Sequence, residues 1–178
     1  MQAFQDAFVA IVADAALRRR FRVEPDAVLD GFALDADARA ALRGIPLDEL
    51  ERFARSLVAK RWHEVARIVP LTARVAPSLG ERYRAWVAEH PAPVSLALLS
   101  PGAAEARRAL PALHAALAAD DAEARYAADL LAYEVIRATG GELRARYDLD
   151  AIAHEVARGL LSVDPEPAPR VYRFGRST

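Results

Sequence analysis

The five residues His-Glu-Val-Ala-Arg occur twice in the chain, as His63–Arg67 and as His154–Arg158. They match the start of the zinc motif HExxH, in which two histidines four residues apart lie on one helical face and bind the same cation. In both copies an arginine takes the place of the second histidine. A guanidinium has no lone pair to give a metal and carries a permanent positive charge. The arginine therefore predicts that neither copy binds a metal. Outside the five residues the two settings differ, so they are not repeats.

Other groups that could perform catalysis are few and far apart. The chain has no cysteine, which excludes disulfides, thiolate nucleophiles and cysteine-ligated metal centres. Neither a glycine-rich phosphate loop nor a GxSxG nucleophile motif occurs. The histidines are scattered along the sequence, at His63, His90, His114 and His154. We therefore expect a protein that is not an enzyme and that holds no metal or cofactor of its own.

A first basic cluster surrounds Phe21 and consists of Arg18, Arg19, Arg20 and Arg22. Guanidinium groups this close together can hold a phosphate or an acidic peptide. The same residues also fit the end of a short helix, where positive charge complements the helix dipole. The sequence favours a structural role for these arginines at the end of the helix, and an anion-binding site is the alternative.

A second basic cluster surrounds Trp62. A basic patch with an aromatic residue can stack on nucleic-acid bases, but Trp62 falls on the apolar stripe of a predicted helix. Ion pairs between residues three or four apart would make the polar flank of this helix an ordinary solvated surface. The alternative is a partner-binding surface that includes Lys60, Arg61, Glu64 and Arg67.

Charge and hydropathy limit the remaining classes of partner. Acidic and basic residues number 25 and 24, and all but one of the basic residues are arginine, which indicates genome base composition more than function. A net charge of −1 does not attract nucleic acid to the molecule as a whole, so we do not expect it as a partner. No apolar run is long enough to cross a bilayer, and the N-terminus lacks the charge order of a signal peptide. We expect a cytoplasmic protein without a membrane partner.

Hydrophobic residues make up 53% of the chain and recur at intervals of three and four, which predicts an all-α fold. A first helix is expected near residues 2–13, Asp14 and Asp35 are expected to cap the next helices, and Pro46 to begin a long one. The apolar stripe of the long helix comprises Leu50, Phe53, Leu57, Val58, Trp62, Val65 and Val69. A later helix is expected to bury Ile152, Val156 and Leu160.

Prolines at 91 and 93 suggest a boundary between two helical subdomains, residues 1–90 and 91–163. Residues 164–178 form a proline-rich linker followed by one strand-like segment. In that segment Arg170, Tyr172 and Phe174 alternate with two other residues and share one face. A lone strand is unstable in water, so it must pair either within the chain or with a strand of a partner. No other segment is predicted to be a strand, and we expect these three side chains in a partner contact.

The stretch LRGIPLDELERFARSLVAKRWHEVARIVPLTARV, with the helical segments before it, resembles helical proteins encoded beside multinuclear non-heme iron-dependent oxidative enzymes. RYAADLLAYEVIRA and RVYRFGR resemble later segments of the same family. The N-terminal part is also similar to a small helical, non-catalytic module of ring-opening dioxygenase subunits.

This resemblance implies an accessory protein that does no chemistry and docks on the iron enzyme encoded nearby. In several relatives the companion also recognises the precursor peptide that the enzyme modifies. Some relatives carry a DNA-binding label, so a DNA-binding transcriptional regulator is the alternative. A complete peptide-recognition module would need several strands, whereas the sequence predicts one here.

Overall fold

The computed structural model describes residues 2–91, 102–160 and 165–175. Across those ranges the chain forms ten helices and two short strands, which confirms the predominantly α-helical class and the C-terminal strand. None of the described helices is both long and apolar enough to span a membrane. The elements are α1 (Gln2–Ala13), α2 (Ala15–Val23), α3 (Pro25–Leu29), α4 (Ala36–Arg43), α5 (Leu47–Ile68), α6 (Pro70–Val75), α7 (Leu79–Glu89), α8 (Gly102–Ala118), α9 (Ala127–Thr139), β1 (Gly141–Ala145), α10 (Leu149–Ala157) and β2 (Arg170–Phe174).

Local signals in the sequence fix several helix ends. The Asp14 carboxylate accepts hydrogen bonds from the Ala16 and Leu17 amides at 2.8 and 3.1 Å, at the start of α2. The Asp35 carboxylate accepts from the Ala38 amide at 2.8 Å, at the start of α4. These bonds satisfy amides that have no partner inside the helix. Both predicted caps are confirmed.

The chain divides into two compact units, but not at residue 91. Unit 1 comprises residues 2–60 and 87–91, and unit 2 comprises residues 61–86 together with the described residues from 102 onward. The division therefore falls inside α5 and α7. Proline-rich sequence marks where a helix must stop, whereas a compact unit is defined by which helices bury their apolar faces against each other.

Unit 1 has a small core built from short helices and the first part of α5. Ile11, Leu29, Leu42 and Leu50 are each at most 1% exposed. Phe53, which was predicted to belong to the buried stripe of α5, is instead 52% exposed. The core of this unit closes around Leu50 and its neighbours, and Phe53 lies at the edge of it.

Unit 2 is organised around α9, in which every residue from Ala127 to Ile136 is buried. A helix that is buried on all sides must find internal partners for its polar groups. α9 contacts α6, α8, α10 and both strands. The prediction that Ile152 and Val156 are buried on α10 is confirmed, but Leu160 lies beyond the helix and is 53% exposed.

A strand that the sequence did not predict follows α9. Gly140 and Gly141 have φ angles of 77° and 131°, which L-residues with a side chain rarely adopt, and they turn the chain out of the helix. β1 then pairs antiparallel with β2, with Gly141 opposite Phe174 and Ala145 opposite Arg170. The expectation of no second strand was wrong. The C-terminal strand has its partner within the chain.

Candidate functional site

The inner face of the two-stranded sheet is an aromatic cluster in unit 2. The ring of Tyr133, from α9, meets those of Tyr172 and Phe174 edge-on, at centroid distances of 5.2 and 5.6 Å. Tyr172 and Phe174 are half-buried by this packing. Edge-to-face pairs are a favoured arrangement of aromatic rings. The two aromatic side chains expected in a partner contact are therefore used to anchor β2 to its own helix.

Polar contacts fix the same strand against the start of α10. The Tyr172 hydroxyl oxygen accepts a hydrogen bond from the Leu149 amide at 2.7 Å, and the Tyr133 hydroxyl donates to Asp150 at 2.5 Å. Burial and the Asp150 carboxylate raise the pKa of Tyr133 to about 12. Both hydroxyls stay protonated at neutral pH. The Tyr172 hydroxyl holds β2 against α10, and the Tyr133 hydroxyl holds α9 against α10.

The outer face of the sheet is polar and exposed. Arg173 pairs with Glu142 on the opposite strand at 2.9 Å, and this bond lowers the pKa of Glu142. Arg144 lies 3.9 Å from the same carboxylate, with its side chain 85% exposed. Val171, opposite Arg144, is 55% exposed. Two arginines share one glutamate on this face, so its charge is net positive.

Arg170 lies at the other end of β2. Its guanidinium contacts the Asp148 carboxylate at 2.8 Å. The pKa of Asp148 is lowered, first by the hydrogen bond from the Ala151 amide and then by Arg170. In the part of the chain that the structure describes, no third strand lies beside β1 or β2. Within those described residues, the sheet has an edge flanked by arginines and without a neighbouring strand.

The partner-binding residues predicted on α5 do not share one environment. Lys60 and Arg67 are exposed, and Glu64 is half-buried and lies 3.7 Å from Arg67, as its spacing predicts. Arg61 is only 6% exposed. The prediction that Arg61 belongs to a surface contact was wrong, because its side chain points into unit 2 and binds Glu105 there.

Glu105 is the centre of a buried ionic cluster that sequence reasoning did not find. It lies in the first turn of α8, is 2% exposed, and accepts hydrogen bonds from Arg61, from Tyr83 at 3.0 Å and from Arg108 at 3.3 Å. Burial alone would raise the pKa of Glu105, but the hydrogen bond and charge of Arg61 outweigh it and lower the pKa. Burial raises the pKa of Tyr83. All three hydrogen bonds go to the same carboxylate oxygen, Oε1, while Oε2 of Glu105 and Nε of Arg61 are buried without a hydrogen-bond partner. The buried pair of Arg61 and Glu105 is typical of a structural ion pair.

A second buried carboxylate, that of Glu134 on α9, binds the amides at the start of α6. It accepts hydrogen bonds from the Leu71 amide at 2.9 Å, from the Thr72 amide at 2.8 Å and from the Thr72 hydroxyl at 2.7 Å. Burial dominates these bonds and raises the pKa of Glu134. A cleft of about 460 Å³ opens beside it, with Arg67 and Arg137 in its lining. The only sequence signal for this carboxylate was a glutamate in an otherwise apolar stretch.

The basic cluster on α2 is partly used inside unit 1. Arg18 donates to the Val12 carbonyl at 2.8 Å, at the end of α1, and its Nε lies 3.1 Å from Glu51. Arg22 lies 3.7 Å from the same glutamate, while Arg19 and Arg20 are exposed. Phe21, between them, is 3% exposed. Arg18 and Arg22 thus lie near the same glutamate, and Arg20 and Arg22 are in the last turn of α2. The anion-binding role of the cluster stays a prediction.

The histidines of the two repeated pentapeptides also remain apart from other metal-binding side chains. Both His63 and His154 are exposed on their helices. Among the described residues, no group of three His, Asp or Glu side chains is placed to hold a metal ion.

Comparison with known proteins gives no match: no family model, curated protein or solved structure is similar to this chain.

Proposed function

We propose that the protein is a non-catalytic accessory subunit that docks on a multinuclear iron-dependent oxidative enzyme and helps to present that enzyme's peptide substrate. The observation that carries the proposal is the edge of the sheet formed by β1 and β2, which has no further strand beside it among the residues that the structure describes. An extended peptide can add to such an edge as a further strand, using backbone hydrogen bonds for affinity. The resemblance of the sequence to companions of iron enzymes supplies the identity of the partner.

The anchoring of β2 supports this role. Because Tyr172 and Phe174 hold the strand against Tyr133, the edge is ordered before a peptide arrives. A preformed edge costs less conformational entropy on binding than a strand that must fold first. The role of Tyr172 and Phe174 is then to position the edge, and the contact itself falls to the backbone of β2.

The charge beside the edge indicates what kind of peptide it takes. Arg144 and Arg173 project on the outer face with one glutamate between them, and Arg170 lies at the end of the strand. A positively charged rim favours an acidic segment and disfavours a basic one. We therefore propose an acidic, extended region of the precursor peptide as the ligand.

The test is co-expression with the iron enzyme encoded nearby and its precursor peptide, followed by co-purification. Val171→Glu places a negative charge beside the edge, opposite Arg144, without removing any inner-face ring. We expect it to abolish peptide binding and leave the thermal melt almost unchanged. Ala85→Glu, which adds the same charge at an exposed position on α7, is the matched control and should bind as the wild type does.

Two results would overturn the proposal. One is a Val171→Glu variant that binds the peptide with full affinity, which would show that the edge is not the contact. The other is a wild-type protein that fails to co-purify with the enzyme in the presence of peptide. Deleting residues 168–178 is a weaker test, because it also removes the rings that pack on Tyr133.

A further inference from the structure

An apolar pocket of about 210 Å³ opens in unit 1 between α1 and α5. Phe8, Val9 and Val12 form its wall on α1, and Phe53 and Leu57 form its wall on α5. Val9 and Val12 are buried, and the rings of Phe8 and Phe53 meet edge-on at 5.7 Å. The walls therefore belong to the folded unit, and the pocket does not depend on the strand at the C-terminus.

The exposure of Phe53 is not explained by the core of unit 1. That core closes around other side chains, and Phe53 leaves 52% of its surface in water at the rim of the pocket. Removing an aromatic surface from water is favourable in proportion to the area covered. A ligand that fills the pocket would cover this ring.

Lys60 is the one charged residue that lines the pocket, and Ser56 is the one lining residue with a hydroxyl. The part of the chain that the structure describes contains no ion-pair partner for Lys60. An ammonium beside an apolar cavity is complementary to an anionic head group joined to an apolar body. We propose that this pocket binds a small amphipathic carboxylate, with its apolar part between Phe8 and Phe53 and its carboxylate at Lys60.

The volume limits the apolar part. Pockets for drug-sized ligands span about 300–1,000 Å³, so this one takes a smaller group. A cavity of about 150 Å³ holds benzene, and by the same ratio about 210 Å³ holds about eight carbon atoms. A straight-chain acid of about eight carbons, or an aryl acid of similar size, is the expected class of ligand.

The experiment is a two-dimensional NMR titration of the ¹⁵N-labelled full chain with butyrate, hexanoate, octanoate and decanoate. We expect shifts confined to amides of α1 and α5 near the pocket. Each buried methylene should tighten binding by up to about fourfold. The gain should flatten at about eight carbons, where the pocket is full. Affinity that keeps rising with chain length would indicate unspecific adsorption and overturn the proposal.

Head-group specificity tests the role of Lys60. Octanoate should bind about two- to fivefold more tightly than octanamide, the range expected for one exposed ion pair, and octylamine should bind more weakly than both. Lys60→Met should remove the preference for octanoate and keep the binding of octanamide. Arg55→Met, which removes another exposed cation from the same helix outside the pocket, should change neither. Equal binding of octanoate and octylamine would overturn the proposal.

A filled-pocket variant gives an independent readout. Ser56 is exposed and lines the pocket, so Ser56→Trp adds bulk without removing a core side chain. We expect this variant to fold and to lose octanoate binding. Unchanged octanoate binding by a folded Ser56→Trp variant would place the ligand elsewhere and refute the assignment.

Discussion

Replacing Glu105 with glutamine should destabilise unit 2 more than any exposed charge change. The carboxylate binds Arg61, whose side chain is 5% exposed, and also Tyr83 and Arg108. Glutamine fills the same space but leaves the Arg61 charge buried without an opposite charge. Removing one member of a buried ion pair costs about 3–5 kcal/mol. For a chain of this size, that loss corresponds to a fall of about 6–20 °C in Tm.

The loss should depend on pH in a defined direction. The pKa of Glu105 is lowered in the folded protein from an ordinary value of 4.5, because Arg61 outweighs the effect of burial. A carboxylate with a lowered pKa stabilises the fold above its unfolded pKa, and this contribution is lost as pH falls through the folded value. The difference between wild type and Glu105→Gln should therefore be complete at neutral pH and shrink progressively below about pH 4.5.

The assay is urea unfolding monitored by tryptophan fluorescence. Both tryptophans, Trp62 and Trp86, belong to unit 2, and their rings lie 5.5 and 6.0 Å from that of Tyr83. Fluorescence therefore reports on the region around the cluster. Glu142→Gln is the matched control, since it breaks an ion pair in which both side chains are exposed and screened by solvent.

A double variant separates the ion pair from its surroundings. Arg61→Met with Glu105→Met replaces both charges by apolar groups, and we expect it to be more stable than Glu105→Gln alone. A loss of stability in Glu105→Gln no larger than that in Glu142→Gln would refute a stabilising role of the buried ion pair. The same loss at pH 3 and at pH 7 would refute the predicted pH dependence.

Two further predictions concern contacts between distant segments of unit 2. Glu134→Ala removes the acceptor for the Leu71 amide and for both donors of the buried Thr72. We expect the free energy of unfolding, measured in urea, to fall by about 2–3 kcal/mol. A fall below about 0.5 kcal/mol would show that water replaces the carboxylate. Gly102→Ala places a methyl group against the backbone carbonyl of Glu64, so overpacking should cost about 1–3 kcal/mol in a thermal melt. Gly175→Ala is the control, because a methyl group there meets no heavy atom within 4 Å and the glycine has no positive φ. A fully stable Gly102→Ala would contradict the close approach of α8 to α5.

Much of the local structure was readable from the sequence because its causes are local. Helix caps such as Asp14 and Asp35 act on amides two or three residues away, and the bonds lie where the spacing places them. The apolar periodicity predicted that Leu50 and Val65 face a core, and both are 1% exposed. The alternation of Arg170, Tyr172 and Phe174 predicted a strand, since period two follows from the backbone itself.

Tertiary structure decided which neighbours these elements met. Leu143 and Arg144 carry little strand signal, and β1 exists because the chain leaves α9 at Gly140 and meets β2 from far along the sequence. Arg61 was predicted to lie on the surface because its sequence neighbours are polar. Its side chain is instead buried, because it pairs with Glu105, which lies 44 positions later in the sequence. Phe53 fits the apolar stripe, but the short helices of unit 1 leave it half in water. Periodicity indicates which side chains share a face of a helix or strand. Whether that face is buried depends on packing between segments distant in sequence, because burial and ion pairing require a partner on the opposite side.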